Sequence, residues 1–476
     1  MTFLTAVTAA LALAAPIQHA SAVPNLPVIR ALAPSAPRYV RLRLDVTAYG
    51  IPGHGEILVD RSNGHYVRRF DAGPVSEREG WDGARAWRAD ATGMARVQGN
   101  SDERASIVEW TRWLAPVDPG SREHPSRPAE VVIDPASGDV TSIVRHAGQA
   151  VERTTFADYR GDSGFVMPHA LTDTSENGTW SARVLAVETP RAVPDAAFAP
   201  PRDPHDATLS GTAWVHMTGQ SDLPVIPVSI NGGPELHFLL DTGGQNVITP
   251  DAARRAGLDA AGEGTVGGAG PALMKTRYST AQSVRVGAAE MRDQPFVVLD
   301  LGRTAPIDGI VGYELLARFA VRIDFAHGRV DIARDGREFG TKGVAVPMVL
   351  DDRQPQVDGA LDGIPGAMTI DTGSVSSVDV NTPFVVAHEL RAQYHADVGG
   401  FPIAGIGGPV HAYYARANEL RLGDLRVHDV NLLLTDARAG SEANPTIAAN
   451  VGDQVLRRFT LVLDYRNATI RFQTPS

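Results

Sequence analysis

Three segments in the second half of the chain occur twice, in the same order. FLLDTGGQNVIT at 238–249 returns as MTIDTGSVSSVDV at 368–380, and YSTAQSVRVG at 278–287 as YARANELRLG at 414–423. GYELLARFAVRIDF at 312–325 returns as GDQVLRRFTLVLDY at 452–465. The offset between copies grows slowly along the chain, as loop insertions would make it. Two copies are too few for a solenoid, which buries its core only by stacking three or more units. The pattern therefore predicts a tandem pair of related units, 212–345 and 346–476, each strand-dominated with Gly-rich turns.

In each copy a short apolar strand runs straight into Asp-Thr-Gly, at Asp241-Thr242-Gly243 and at Asp371-Thr372-Gly373. An aspartate at the end of a buried strand is costly unless it is hydrogen-bonded or paired. Glycine beside it lets the backbone approach closely and offer amide donors. Two such loops set face to face would bring two carboxylates into one site. Like charges a few ångströms apart cannot both ionise, so the pair shares a proton and titrates as a unit. One member is then a base while the other is an acid, which can activate a water and protonate a leaving amine.

These residues, with the later Ile310-Val311-Gly312, resemble the two lobes of pepsin-like and retropepsin-like aspartic proteases, in particular the bacterial retropepsin-like type. The resemblance covers 212–476. It implies a mainly β fold of two β-barrel lobes and makes Asp241 and Asp371 the catalytic dyad. Thr242 and Thr372 become cross-braces between the lobes, with Gly243, Gly373 and Ser374 supporting. It also implies an extended peptide or protein substrate, no cofactor and no metal, and a monomer, because one chain supplies both lobes. Two positions depart from the family pattern. Gly244 stands where a hydroxyl commonly donates to the carboxylate, a role that Ser374 fits in the second copy. Loss of that donor is expected to raise the pKa of Asp241, leave it holding the shared proton and extend activity towards neutral pH. Asn450, in Ala449-Asn450-Val451-Gly452, replaces an apolar residue and is expected to disturb the second crossing segment. The competing reading is a non-catalytic envelope protein that clasps extended peptides or lipidated chains on the same scaffold.

Gly-rich stretches at 262–275 and 399–408 occupy the place where the resembled family carries hairpin flaps over the substrate. Tyr278 and Tyr414, at equivalent repeat positions, read as packing residues. Gly262-x-Gly264-x-x-Gly267 matches a dinucleotide fingerprint only formally, since no apolar strand of a βαβ unit precedes it. His411 reads as a surface or cleft residue.

The remainder of the chain is read from composition and texture. Residues 1–22 contain no charged residue, carry an apolar run too short to span a bilayer, and end in Ala20-Ser21-Ala22. They predict a cleaved export signal and a periplasmic or secreted protein with no transmembrane span. Residues 23–38 read as a flexible lead, 39–199 as a β-rich accessory domain, and 200–211 as a linker. The accessory domain weakly resembles periplasmic lipoprotein-carrier domains, half-barrel sheets with an apolar concave face. That resemblance implies contact with an acyl chain, an unfolded segment or the envelope surface, while a folding aid or an inhibitory prodomain is equally open. Trp81, Trp87, Trp110 and Trp113 read first as core. With no Cys in 476 residues, disulfide, thiolate and zinc-ribbon chemistry is excluded. Lys+Arg of 44 against Asp+Glu of 55 gives a net charge of -11, which argues against a nucleic-acid partner.

Overall fold

The apolar–polar alternation that begins at Tyr39 does what a period of two should do. In the computed structural model, Tyr39–Ala48 is a strand that buries Val40, Leu42, Leu44 and Val46 on one face. The structure describes residues 28–99, 101–115, 129–147, 150–211, 213–218, 223–302, 307–351, 353–396 and 400–475. The expected export signal, the first part of the lead and Gly399 lie outside them. The fold is mainly β, organised in four sheets.

The first sheet has 12 strands, drawn from residues 30–188, and is antiparallel throughout. The helix Ser101–Leu114 lies against it and buries Ile107, Val108, Trp110 and Trp113 among Tyr66, Trp81 and Phe165. All four tryptophans singled out in the sequence are buried. The face under this helix is not simply apolar, as the carrier resemblance implied. Arg68 and Arg88 both pair with Glu79, Arg145 pairs with Glu152, and the Arg68 and Arg145 guanidiniums lie over the Trp110 ring. Buried guanidiniums are tolerable there because each faces a carboxylate.

The stretch expected to be a linker is tied down instead. Ala207–Leu209 adds a strand beside Ala289–Leu299, and Asp206 accepts hydrogen bonds from both Arg318 and Gln294. Arg318 also donates to Thr92, and Met94 sits in the main core of the second half of the chain. The accessory domain is thus packed against the first of the two repeated units.

Two eight-stranded sheets, from 207–311 and from 349–451, form a first and a second lobe. A six-stranded sheet joins them, with Ala320–Asp324 antiparallel to Thr460–Asp464. One apolar core runs through both lobes, from Phe238, Leu240 and Val311 to Met368, Ile370 and Val451.

Candidate active site

The strands Glu235–Leu240 and Ile364–Ile370 bury alternate residues in the shared core and deliver Asp241 and Asp371 at their ends. Each strand lies parallel to a short crossing strand, Gly309–Val311 in the first lobe and Ala449–Val451 in the second. The Asp241 amide donates to the Val311 carbonyl and the Asp371 amide to the Val451 carbonyl, both at 3.0 Å. The second crossing is therefore as well formed as the first, and Asn450 does not disturb it.

The threonines lock the two loops together. Thr242 Oγ1 donates to the Ile370 carbonyl at 2.6 Å and accepts from the Thr372 amide at 3.0 Å. Thr372 Oγ1 donates to the Leu240 carbonyl at 2.8 Å and accepts from the Thr242 amide at 3.1 Å. Both threonines are fully buried, so the four bonds form in a site from which water is excluded.

The two carboxylates face each other across this brace. Gly243 N donates to Asp241 Oδ1 at 2.7 Å, and Gly373 N to Asp371 Oδ1 at 2.8 Å. Each glycine also lies against the opposite lobe's acid. A Cβ on Gly243 would come within 2.8 Å of the Asp371 carboxylate, and one on Gly373 within 2.5 Å of the Asp241 carboxylate. Only hydrogen fits at either place. Burial first, and then the charge of Asp371 and the hydrogen bond between the two acids, push the Asp241 carboxyl well above the usual range; the Gly243 amide opposes this. The direction matches the sequence expectation, but the dominant cause is burial.

The remaining neighbours differ from the sequence reading. Ser374 does not donate to Asp371; its hydroxyl contacts Ser376 Oγ at 2.8 Å, and Ser376 in turn donates to Asp379 Oδ2 at 2.7 Å. The donor to Asp371 is Asn450, whose Nδ2 lies 2.8 Å from Asp371 Oδ2. The sequence did hold a signal for it, in an amide at the position where the first copy has Ile310. On the other side, a Cβ on Gly244 would meet Asp241 Oδ2 at 2.9 Å, which leaves no room for a serine.

Hairpins from the two lobes meet each other, and the first packs against the apolar cluster that holds Leu239 and Ile310. Ala261–Val266 with Met274–Val286 forms the first, and Phe401–Gly405 with Gly408–Leu422 the second. Gly270 N donates to the Ile406 carbonyl and Ala272 N to the Gly407 carbonyl, both at 2.9 Å. The accessory domain holds the outer strand of the first hairpin. Glu263 N donates to the Tyr49 carbonyl at 2.8 Å and Thr265 N to the Asn177 carbonyl at 3.0 Å, while the Tyr49 and Tyr278 rings sit 5.2 Å apart. Tyr278 is a packing residue; Tyr414 is exposed, its hydroxyl donating to Asn431. The formal dinucleotide fingerprint falls in this hairpin and its tip.

A family described as aspartyl protease matches residues 226–315. The matched segment holds Asp241-Thr242-Gly243 and Ile310-Val311-Gly312, and supports an aspartic protease family and a peptide-hydrolysing enzyme. No curated protein matches the chain.

Proposed function

We propose that the protein is an exported aspartic endopeptidase whose catalytic dyad is Asp241 and Asp371. The observation that carries this reading is the mutual fit of the two loops, each glycine lying against the other loop's carboxylate with the threonines bonded across the junction. Asp241, with its raised pKa, holds the shared proton, and Asp371 carries the charge, held by Gly373 N and Asn450 Nδ2. A water between them gives a proton to Asp371 while its oxygen bonds to the peptide carbonyl carbon. Asp241 gives its proton to the carbonyl oxygen, forming a neutral tetrahedral diol. The C–N bond then breaks as the proton on Asp371 passes to the leaving nitrogen, and a diol proton returns to Asp241 as the new carboxyl group forms. Atoms and protons balance without a cofactor or a metal.

One chain carries both acids, so the working unit is a monomer. Access for an extended peptide requires the two hairpins to part. The accessory domain contributes by holding the outer strand of the first hairpin, so its role here is to set the resting position of that flap.

The test is cleavage of an unfolded protein across about pH 3 to 8, the range over which a carboxyl dyad changes state. Wild type should cleave, and Asp241→Asn and Asp371→Asn should each abolish cleavage. Activity indifferent to both substitutions would overturn the proposal. Export is checked separately, by the N-terminal sequence of the mature protein, which should begin after Ala22.

A further inference from the structure

The two lobes carry the same row of residues across their sheets, and the rows differ in chemistry. In the first lobe the pairings run Val225 to Leu239, Leu239 to Ile310, Ile310 to Val247, and Val247 to Val297. In the second they run Gln356 to Thr369, Thr369 to Asn450, Asn450 to Asp379, and Asp379 to Leu433. Ile310 and Asn450 place both rows beside the dyad, since Ile310 abuts the site next to Gly244 and Asp241, and Asn450 donates to Asp371. The first row is a closed apolar cluster under the first hairpin, packed against Val266, Met274 and Tyr278. The second row replaces four of the five apolar residues with polar ones, at positions where a plain apolar wall would be more stable.

Those polar side chains are incompletely satisfied. Asp379 Oδ1, Asn450 Oδ1 and Thr369 Oγ1 have no hydrogen-bond partner among the described residues, nor has Oε2 of Glu442 in the neighbouring turn Ser441–Ala443. Asp379, Glu442 and Thr369 are all more than nine-tenths buried. Glu442 feels the charges of Asp379 and Asp371, Asp379 feels that of Asp371, and neither Glu442 nor Asp379 has a Lys or Arg partner among the described residues. Burial pushes Asp379 up to about 6 and Glu442 up to about 8, as expected for acids without a counter-ion. Every free atom in the set can accept a hydrogen bond. The complementary group is a cation with several N–H donors on a long apolar stem, and the Lys and Arg side chains have this form.

We propose that the second-lobe wall is a subsite for a lysine or arginine side chain of the substrate, next to the bond cleaved, while the first-lobe wall takes an apolar one. This rests on the endopeptidase reading and adds the substrate class to it. The hairpins must open for the side chain to enter, and its stem then lies along Leu433 with its head among Asp379, Glu442, Thr369 and Asn450.

The experiment compares peptides of one sequence that carry Leu–Leu, Lys–Leu, Leu–Lys, Arg–Leu or Leu–Arg at the central pair. Two readouts are taken on the full chain: kcat/KM of the wild type, and the Kd of fluorescently labelled peptides for Asp241→Asn. One orientation with a basic residue should exceed Leu–Leu by about tenfold or more, the scale of one buried charge-assisted contact. The near-isosteric variants Asp379→Asn and Glu442→Gln should each shrink that ratio severalfold. A Leu–Leu peptide that performs as well as the basic ones, or a basic preference unchanged in both variants, would overturn the proposal. If no peptide is cleaved, the endopeptidase reading fails, and the ranking of Kd values still decides the subsite.

Discussion

Asn450 Nδ2 lies 2.8 Å from Asp371 Oδ2, so the dyad has a side-chain amide donor on its second-lobe side. The corresponding first-lobe residue is Ile310, which offers Asp241 nothing. The pair of acids is therefore asymmetric: one is buried against apolar surface and an adjacent charge, the other is held by two donors. In the proposed mechanism this asymmetry leaves the shared proton on Asp241.

Replacing Asn450 with leucine should move the acid limb of the pH–rate profile to higher pH. A hydrogen bond to a charged group contributes about 1.5–3 kcal/mol, which corresponds to about one to two pH units. The sign follows from the form stabilised: without the donor the charged state of the pair is less favourable, so less of the active form exists at a given acidic pH. kcat/KM at about pH 4 should fall at least tenfold, with the loss partly recovered as the pH is raised. A uniform loss at all pH values would mean that Asn450 serves packing alone.

Thr242→Val and Thr372→Val each delete one donor and one acceptor at the lobe junction. At about 1 kcal/mol per bond plus the cost of a stranded carbonyl, each should lower unfolding stability by about 2–4 kcal/mol. The double variant should depart from the sum, because the two hydroxyls brace the same junction, each through its own pair of backbone groups on the loops. Urea unfolding of the three variants checks both statements.

Much of this site is legible in the sequence because it depends on short-range chemistry. Asp-Thr-Gly after an apolar strand already states a buried acid, a hydroxyl and a position without a side chain. The roles of Ser374 and Asn450 are exchanged between sequence and structure for a physical reason. Ser374 lies next to the triplet but turns towards Ser376, while Asn450 is distant in sequence and reaches Asp371 only through the parallel pairing of Met368–Ile370 with Ala449–Val451. Asp206 illustrates the same limit. A stretch rich in Pro and Asp reads as a linker, and only the fold brings Arg318 to its carboxylate.

The Arg318–Asp206 pair should therefore matter to stability. Arg318 has a side chain only 1 % exposed, and it bridges Asp206, Thr92 of the accessory domain and the Glu314 carbonyl. Breaking a buried pair by removing one partner costs about 3–5 kcal/mol, because the other charge is left without compensation. Arg318→Met should lose about that much in chemical unfolding. Adding Asp206→Asn to it should recover part of the loss, since no stranded carboxylate remains.

The buried acids of the second lobe set a pH dependence of the opposite sign to that of an ordinary paired carboxylate. Glu442 is raised from 4.5 to about 8 by burial and by the charges of Asp379 and Asp371, and Asp379 is raised from 3.8 to about 6, chiefly by burial. A carboxyl with a raised folded pKa binds more protons in the native state than in the unfolded one. Its contribution to stability is greatest below the unfolded value and is lost as the pH rises towards the folded value. The wild type should thus lose stability between about pH 4.5 and 8, with a slope of up to about 1.4 kcal/mol per pH unit from Glu442. Glu442→Gln cannot ionise, so its unfolding free energy should be flatter across this range and should exceed that of the wild type most clearly near pH 8. Unfolding curves of both proteins at pH 5 and pH 8 measure the difference. Equal slopes would show that Glu442 finds a counter-charge or solvent in the native state.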